Sequence, residues 1–210
     1  IEKLLTGIEG FDLVTNGGLP AGRSTLVSGT AGSAKTVVAV QFLVEGTRRG
    51  EHGVLVTFEE APADLRRNVL GFGWDIAKLE ADKKFAFVDA SPRHDEERLE
   101  AGEYDFGALV ARIGASIRKV SAKRVAIDSI GSIFAQFKDT AIVRRELHRI
   151  AAALKELGVT ALITSERNDD YGAISRHGVE EFVADNVILL RNVLEDEKRR
   201  RTLEVLKFRG

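Results

Sequence analysis

The chain has 210 residues and a formal net charge of −1, with 44% hydrophobic and 30% charged residues. This length and composition predict one globular domain, residues 1–210, with a buried core. The sequence has no cysteine, which excludes disulfides and thiol catalysis, and it has neither a membrane-spanning apolar stretch nor a signal sequence. The near-neutral charge does not favour a nucleic-acid partner, and we expect a cytoplasmic protein. Because the chain begins at Ile1, we also expect a fragment of a longer protein.

Short apolar, β-branched segments predict strands that are covered on both faces. They are residues 25–28, 54–58, 85–89, 125–127 and 160–164. The helical patterns between them are residues 37–49, 63–70, 108–120 and 142–157. Gly158 is placed to end the last helix. The alternation predicts an α/β fold with a mostly parallel sheet flanked by helices. Residues 187–194 and 202–208 predict a C-terminal antiparallel hairpin with a charged tip at 195–201.

A phosphate-loop pattern, G-x-x-x-x-G-K-[ST], lies between the first of these strands and the helix that follows. Its residues are Gly29, Thr30, Ala31, Gly32, Ser33, Ala34, Lys35 and Thr36. Backbone N–H groups of such a loop bind phosphates at a helix N-terminus. We expect Lys35 to bridge the β- and γ-phosphates of ATP and Thr36 to bind Mg²⁺. The alternative, a glycine-rich turn with an incidental lysine, is disfavoured by the strand–loop–helix order.

The pattern departs from its consensus at Ala34, where the second glycine is expected. If this position has a positive φ, the alanine Cβ costs about 1–2 kcal/mol. If φ is negative, alanine is nearly neutral. The sequence leaves both open, and we expect ATP binding to persist with altered affinity.

Acidic residues follow two of the predicted strands. Asp128 ends an apolar strand, which is the Walker B pattern for a carboxylate that holds the magnesium site; a plain turn cap is the alternative. Glu59 and Glu60 follow residues 54–58 and suit polarisation of an attacking water. We favour Glu59 as the base, with Glu60 close behind. For one of the two, stabilisation of the first turn of the next helix is the alternative.

Further motifs resemble the KaiC family of RecA-like ATPases, and they cover essentially the whole chain. They are residues 6–12, 17–23, 56–60, 73–75, 89–92, 144–147 and 199–210. The resemblance is to the first of the family's two tandem ATPase domains. It implies slow ATP hydrolysis in a clock or timer protein that forms a hexameric ring with ATP between subunits. The second domain accepts phosphate where this chain has Glu181 and Phe182, so serine/threonine autokinase activity is expected only of a longer parent.

The resemblance also implies roles for two further regions. Lys207 and Arg209 match a basic pair that reaches the neighbouring subunit's nucleotide, and we expect both on one face of an edge strand. Such cations neutralise charge that develops in phosphoryl transfer. Residues 93–105 align with the region that binds the partner KaiB, and a solvated insertion is the alternative.

Two other function classes share the same nucleotide-binding core. A nucleic-acid motor of the recombinase or helicase type would need a basic surface. A non-hydrolysing, nucleotide-gated scaffold is suggested by Ala34.

Overall fold

The computed structural model describes residues 1–91, 104–135, 137, 139–175, 178 and 180–210. Of the segment predicted to bind a partner, residues 93–105, all but the last two residues lie outside this part of the chain. The strands are β1 (Lys3–Leu4), β2 (Leu19–Pro20), β3 (Ser24–Gly29), β4 (His52–Thr57), β5 (Phe85–Asp89), β6 (Ala122–Asp128), β7 (Thr160–Glu166), β8 (Asn186–Glu195) and β9 (Lys198–Lys207). The helices are α1 (Glu9–Val14), α2 (Lys35–Arg48), α3 (Pro62–Leu70), α4 (Ile76–Ala81), α5 (Phe106–Val120), α6 (Gly131–Phe134), α7 (Thr140–Glu156) and α8 (Glu180–Val183).

Seven strands form the central sheet in the order β5-β4-β6-β7-β3-β8-β9. Neighbouring strands from β5 to β8 pair in parallel, and β9 pairs antiparallel with β8. The predicted α/β fold with a C-terminal hairpin is therefore confirmed. Successive strand residues point to opposite faces, as Leu26 and Val27 do, and each face carries its own buried cluster. Residues of α2, α3 and α4 cover one face, and residues of α5 and α7 cover the other.

The hairpin turn is shorter than the sequence predicted. Only Asp196 and Glu197 lie outside the strands, and both have positive φ angles of 46° and 61°, as in a type I′ turn. The predicted tip at 195–201 is wrong because its charged residues pair across the hairpin, beginning with Glu195 opposite Lys198. Glu195 and Lys198 face each other with opposite charges, and such a pair stabilises the ladder next to the turn.

A buried arginine fixes the end of the sheet opposite the carboxyl ends of the parallel strands. Arg124, at the start of β6, is fully buried. Its guanidinium donates to Glu51 Oε2 at 2.7 Å and to the carbonyls of Leu5 and Phe42, both at 2.7 Å. A Cβ on Gly46 would lie 2.5 Å from Arg124 Cδ, which explains a glycine inside α2. Burial lowers the pKa of the Arg124 guanidinium, and its bond to Glu51 opposes that shift.

Replacing Arg124 by alanine should lower the free energy of unfolding by about 3 kcal/mol or more, because it leaves Glu51 and two carbonyls without their donor. Glu51→Gln should cost less, since an amide oxygen still accepts. Urea unfolding measures both, with Arg118→Ala on exposed α5 surface as the control. A loss no larger than that of the control would contradict a structural role for the Arg124 network.

Candidate functional site

Four loops meet at the carboxyl edge of the parallel sheet. The phosphate loop, residues 29–36, connects β3 to α2, and the segments after β4, β6 and β7 lie along the same edge. Together they line a cleft of about 320 Å³. Crevices at this edge are the usual ligand sites of open α/β sheets. The lining residues are Ala31, Gly32, Ala34, Lys35, Thr36, Val37, Glu59, Glu60, Asp128, Ser129 and Glu166.

The phosphate loop presents donors to this cleft. The side chain of Lys35 is largely buried, and its Nζ donates to the carbonyls of Gly29 and Thr30, both at 2.9 Å. An ammonium has three donors, so one remains for a ligand. Desolvation lowers the pKa of Lys35, and the carboxylates of Glu166, Asp128 and Glu59 oppose that shift. The first N–H groups of α2 have no intrahelical partner, and the loop is therefore suited to an anion.

The backbone at Ala34 resolves the question that the sequence left open. Ala34 precedes α2 with φ 75° and ψ 27°, which is the left-handed region where glycine is favoured. The consensus glycine therefore has a conformational reason, and this chain carries the cost of a Cβ there. Gly32 also has a positive φ, 74°, so two residues of the loop share this conformation.

The predicted metal ligands lie next to each other. The Thr36 hydroxyl donates to Asp128 Oδ2 at 2.8 Å, and the Thr164 hydroxyl donates to Asp128 Oδ1 at 2.5 Å. Within the described residues, no group of three or more His, Cys, Asp and Glu side chains is arranged to hold a metal by itself. Mg²⁺ at nucleotide sites takes one or two protein ligands, with phosphate and water completing its octahedron. Thr36 and Asp128 fit that requirement, and the buried Ser129 hydroxyl, which has no protein partner in the part of the chain described, lines the same cleft.

The two glutamates after β4 occupy different surroundings. Glu60 accepts from the Asn68 amide of α3 at 2.5 Å. Partial desolvation in the cleft raises the pKa of Glu59, and the charges of Glu166 and Asp128 raise it further. Because α3 begins at Pro62 and the acid in its first turn is Asp64, neither glutamate lies in that turn.

Sequence analysis missed Glu166, the last residue of β7. It lines the cleft between the phosphate loop and Asp128, because β7 lies between β3 and β6 in the sheet. The predicted strand stopped at residue 164, where the apolar run ends. A search for acids at the ends of all parallel strands, as applied to β4 and β6, would have found Glu166.

The C-terminal basic pair lies away from this cleft. Strand β9 is an edge strand, but it ends at Lys207, so Arg209 lies beyond the strand that was predicted to carry both residues. The chain leaves the ladder there because the Arg209 N–H donates to the Asn186 side chain at 2.8 Å. Lys207 Nζ donates to the Ala184 carbonyl at 2.7 Å, after α8. The Arg209 side chain is exposed.

A phosphate loop, a strand-end aspartate and this strand order together define a RecA-like P-loop fold. Comparison with known proteins then gives the family: its profile, described as ATPase: KaiC, matches residues 4–210. The chain belongs to the KaiC ATPase family. It is 61% identical over its whole length to circadian clock protein KaiC3 of Synechocystis sp.. It is 57% identical to circadian clock oscillator protein KaiC of Prochlorococcus marinus subsp. pastoris and 54% identical to that of Parasynechococcus marenigrum.

The chain spans about two fifths of the length of these relatives, 42% of the Synechocystis protein and 41% of the other two. Among the helices described, none is long and apolar enough to cross a membrane.

Replacing Ala34 by glycine should raise the free energy of unfolding by up to about 1.5 kcal/mol. The change removes the cost of a left-handed alanine, about 1–2 kcal/mol. Glycine also raises the entropy of the unfolded chain, which offsets about 0.4–1 kcal/mol of that gain. Ala31→Gly, in the same loop but without a positive φ, is the control and should be neutral or slightly destabilising. Thermal or urea unfolding measures both. A destabilised Ala34→Gly protein would argue against the observed backbone at this position.

Proposed function

We propose that this domain binds ATP with Mg²⁺ and hydrolyses it slowly, within a ring of identical subunits. The observation that carries the proposal is the convergence of Lys35, the Thr36–Asp128 pair and Glu59 on one cleft. Membership of the KaiC ATPase family supports the choice of ATP. The slow rate and the ring rest on the family resemblance alone.

Each of these groups has a distinct task in the proposed reaction. The N–H groups at the start of α2 bind phosphate oxygens, and Lys35 neutralises charge on the β- and γ-phosphates. Mg²⁺, held through Thr36 and Asp128, supplies charge compensation on the phosphates. Glu59 accepts a proton from the water whose oxygen bonds to the γ-phosphorus while the bond to the β-phosphate oxygen breaks. The products are ADP and inorganic phosphate.

Removing the ammonium of Lys35 should abolish ATP binding. Lys35→Ala deletes the mobile cation of the phosphate loop, whose charge-assisted bonds to phosphate are among the strongest available. Equilibrium dialysis with ATP measures the loss, and Lys119→Ala, an exposed lysine near the end of α5, is the control. Unchanged ATP affinity in Lys35→Ala would refute the phosphate-loop assignment.

Hydrolysis should depend on pH through Glu59. A base must be deprotonated, so turnover should fall as pH falls through the pKa of Glu59, which lies above that of an ordinary glutamate. Glu59→Gln should keep ATP binding and lower turnover by about 10²-fold or more. Glu166→Gln removes a neighbouring negative charge, lowers the pKa of Glu59 and should move the acid limb of the kcat profile to lower pH.

Phosphate release measured from pH 5 to 9 for the wild type and both variants decides this. The single variant Glu60→Gln, measured in parallel, tests whether Glu60 is the base instead. If the acid limb stays at the same pH in Glu166→Gln, the charge of Glu166 does not affect the base. If Glu59→Gln keeps wild-type turnover, the base is a residue other than Glu59.

Assembly should depend on ATP and on Arg209. Because Arg209 and Lys207 lie away from the cleft of their own chain, we propose that they act on the nucleotide of a neighbour packed head to tail, a contact that can close into a ring. ATP bound between subunits then favours the oligomer by mass action. Arg209→Ala should weaken ATP-dependent assembly and hydrolysis together.

Lys207→Ala should also destabilise the fold, because Lys207 Nζ already donates to the Ala184 carbonyl after α8. Light scattering with and without ATP measures the mass, and Lys198→Ala, at the other end of β9, is the control. A wild-type chain that stays monomeric in saturating ATP would rule out the trans-acting role.

A further inference from the structure

The segment after β7 contacts the end of β3 and the start of the phosphate loop. The N–H of Arg167 donates to the Gly29 carbonyl at 3.1 Å, and the Ser28 hydroxyl donates to the Ile174 carbonyl. Arg167 itself is 5% exposed and holds the segment closed through the carbonyls of Gly172 and Ala173, at 2.7 and 2.9 Å. Residues 167–175 are thus tied to β3 near both ends.

Asp170, within this segment, joins the phosphate loop to the β8–β9 hairpin. Its Oδ1 accepts from the Thr30 hydroxyl at 2.9 Å and from the Asn192 N–H at 3.3 Å. Its carbonyl accepts from Arg191 Nε at 3.0 Å. Arg191 in turn forms an ion pair with Glu204 of β9. One half-buried carboxylate therefore contacts both the loop and β8.

The hairpin contacts the loop at a second point through β9. Arg201 Nε donates to the Gly32 carbonyl at 3.0 Å. Arg201 lies directly opposite Asn192 in the ladder. The Asn192–Arg201 rung is therefore connected to the phosphate loop from both strands. Asn192 connects to Thr30 through Asp170, and Arg201 bonds Gly32 directly. Lys207 lies six residues further along β9, about 20 Å away in a strand.

We propose that Asp170 is a positioning residue of the phosphate loop, and that it and Arg201 transmit nucleotide binding along the hairpin to Lys207 and Arg209. The transmission step rests on the proposed function, in which Lys207 and Arg209 act on the neighbouring subunit's nucleotide. Phosphates bound to the loop N–H groups fix Thr30 and Gly32, and these residues hold the Asn192–Arg201 rung. Occupancy of one site thereby favours the placement of the basic pair at the next site, which produces cooperativity around a ring.

The positioning role is tested by a double-mutant cycle in the 210-residue chain, read as ATP affinity. Asp170→Ala and Thr30→Val should each weaken ATP binding by about five- to tenfold, the loss expected for one or two hydrogen bonds. The double variant should be no weaker than the worse single variant, because both remove the same bond. Asp169→Ala is the matched control, since Asp169 is exposed and its carboxylate accepts from the Tyr171 N–H. Additive losses, or wild-type affinity in Asp170→Ala, overturn the positioning role.

The transmission role is tested by the ATP dependence of hydrolysis. The wild type should show a Hill coefficient above 1, and Asp170→Ala should bring it towards 1 while the mass at saturating ATP stays that of the ring. Arg201→Gln should also lower the Hill coefficient, and because Arg201 is exposed this substitution should spare the fold. Arg200→Gln is the control and should leave the Hill coefficient unchanged, since Arg200 forms an ion pair with Glu195 near the turn. An unchanged Hill coefficient in Asp170→Ala and Arg201→Gln overturns transmission.

These outcomes are separable from those of the proposed function. A wild-type chain that neither assembles nor hydrolyses ATP contradicts the proposed function and the transmission step. The Thr30–Asp170 cycle, read on ATP binding alone, still decides whether Asp170 positions the loop.

Discussion

The constraint on which the site depends is the backbone shape of the phosphate loop. Its N–H groups must face the cleft, which requires left-handed conformations at Gly32 and Ala34. At Ala34 this conformation is strained, and strained backbone persists only where its surroundings determine it. Here the Lys35 ammonium bonds the carbonyls of Gly29 and Thr30. Asp170 accepts from the Thr30 hydroxyl, and Arg201 donates to the Gly32 carbonyl. The loop is thus shaped by contacts that leave its donors available for phosphate.

The charges of the cleft follow from the parallel sheet. Strands that run the same way end at the same edge, so Glu59, Asp128 and Glu166 come together there although they are distant in sequence. Carboxylates that line one cleft repel one another, which is why Glu166 and Asp128 both raise the pKa of Glu59. The Lys35 ammonium relieves part of this repulsion, and the proposed Mg²⁺ would relieve more of it. Desolvation and this repulsion together raise the pKa of Glu59, which suits its proposed task as a base.

The sequence predicted the elements whose patterns are long and failed where spatial information was needed. The five predicted parallel strands and four longer helices were found because apolar runs and helical periodicity are local signals. Short elements such as α6 and α8 carry too few residues to show a period. The roles of Lys35, Thr36 and Asp128 were predicted from motifs, and the structure brings them to one cleft, whereas Glu166 and Asp170 belong to no motif. The φ of Ala34 and the Lys207 bond to the carbonyl of Ala184 are decided by tertiary contacts, which one sequence does not contain.

The charged groups at the two ends of the sheet differ in how far they are compensated. At the end away from the cleft, Arg124 is fully buried, and its guanidinium donates to Glu51 and to the carbonyls of Leu5 and Phe42. At the cleft end, the carboxylates of Glu59, Asp128 and Glu166 line one cleft with the Lys35 ammonium. A buried and satisfied network contributes stability, while an incompletely compensated one requires ligands. The Arg124 network therefore finds its partners within the chain, whereas the proposed nucleotide and metal would supply the partners that the cleft carboxylates and Lys35 lack.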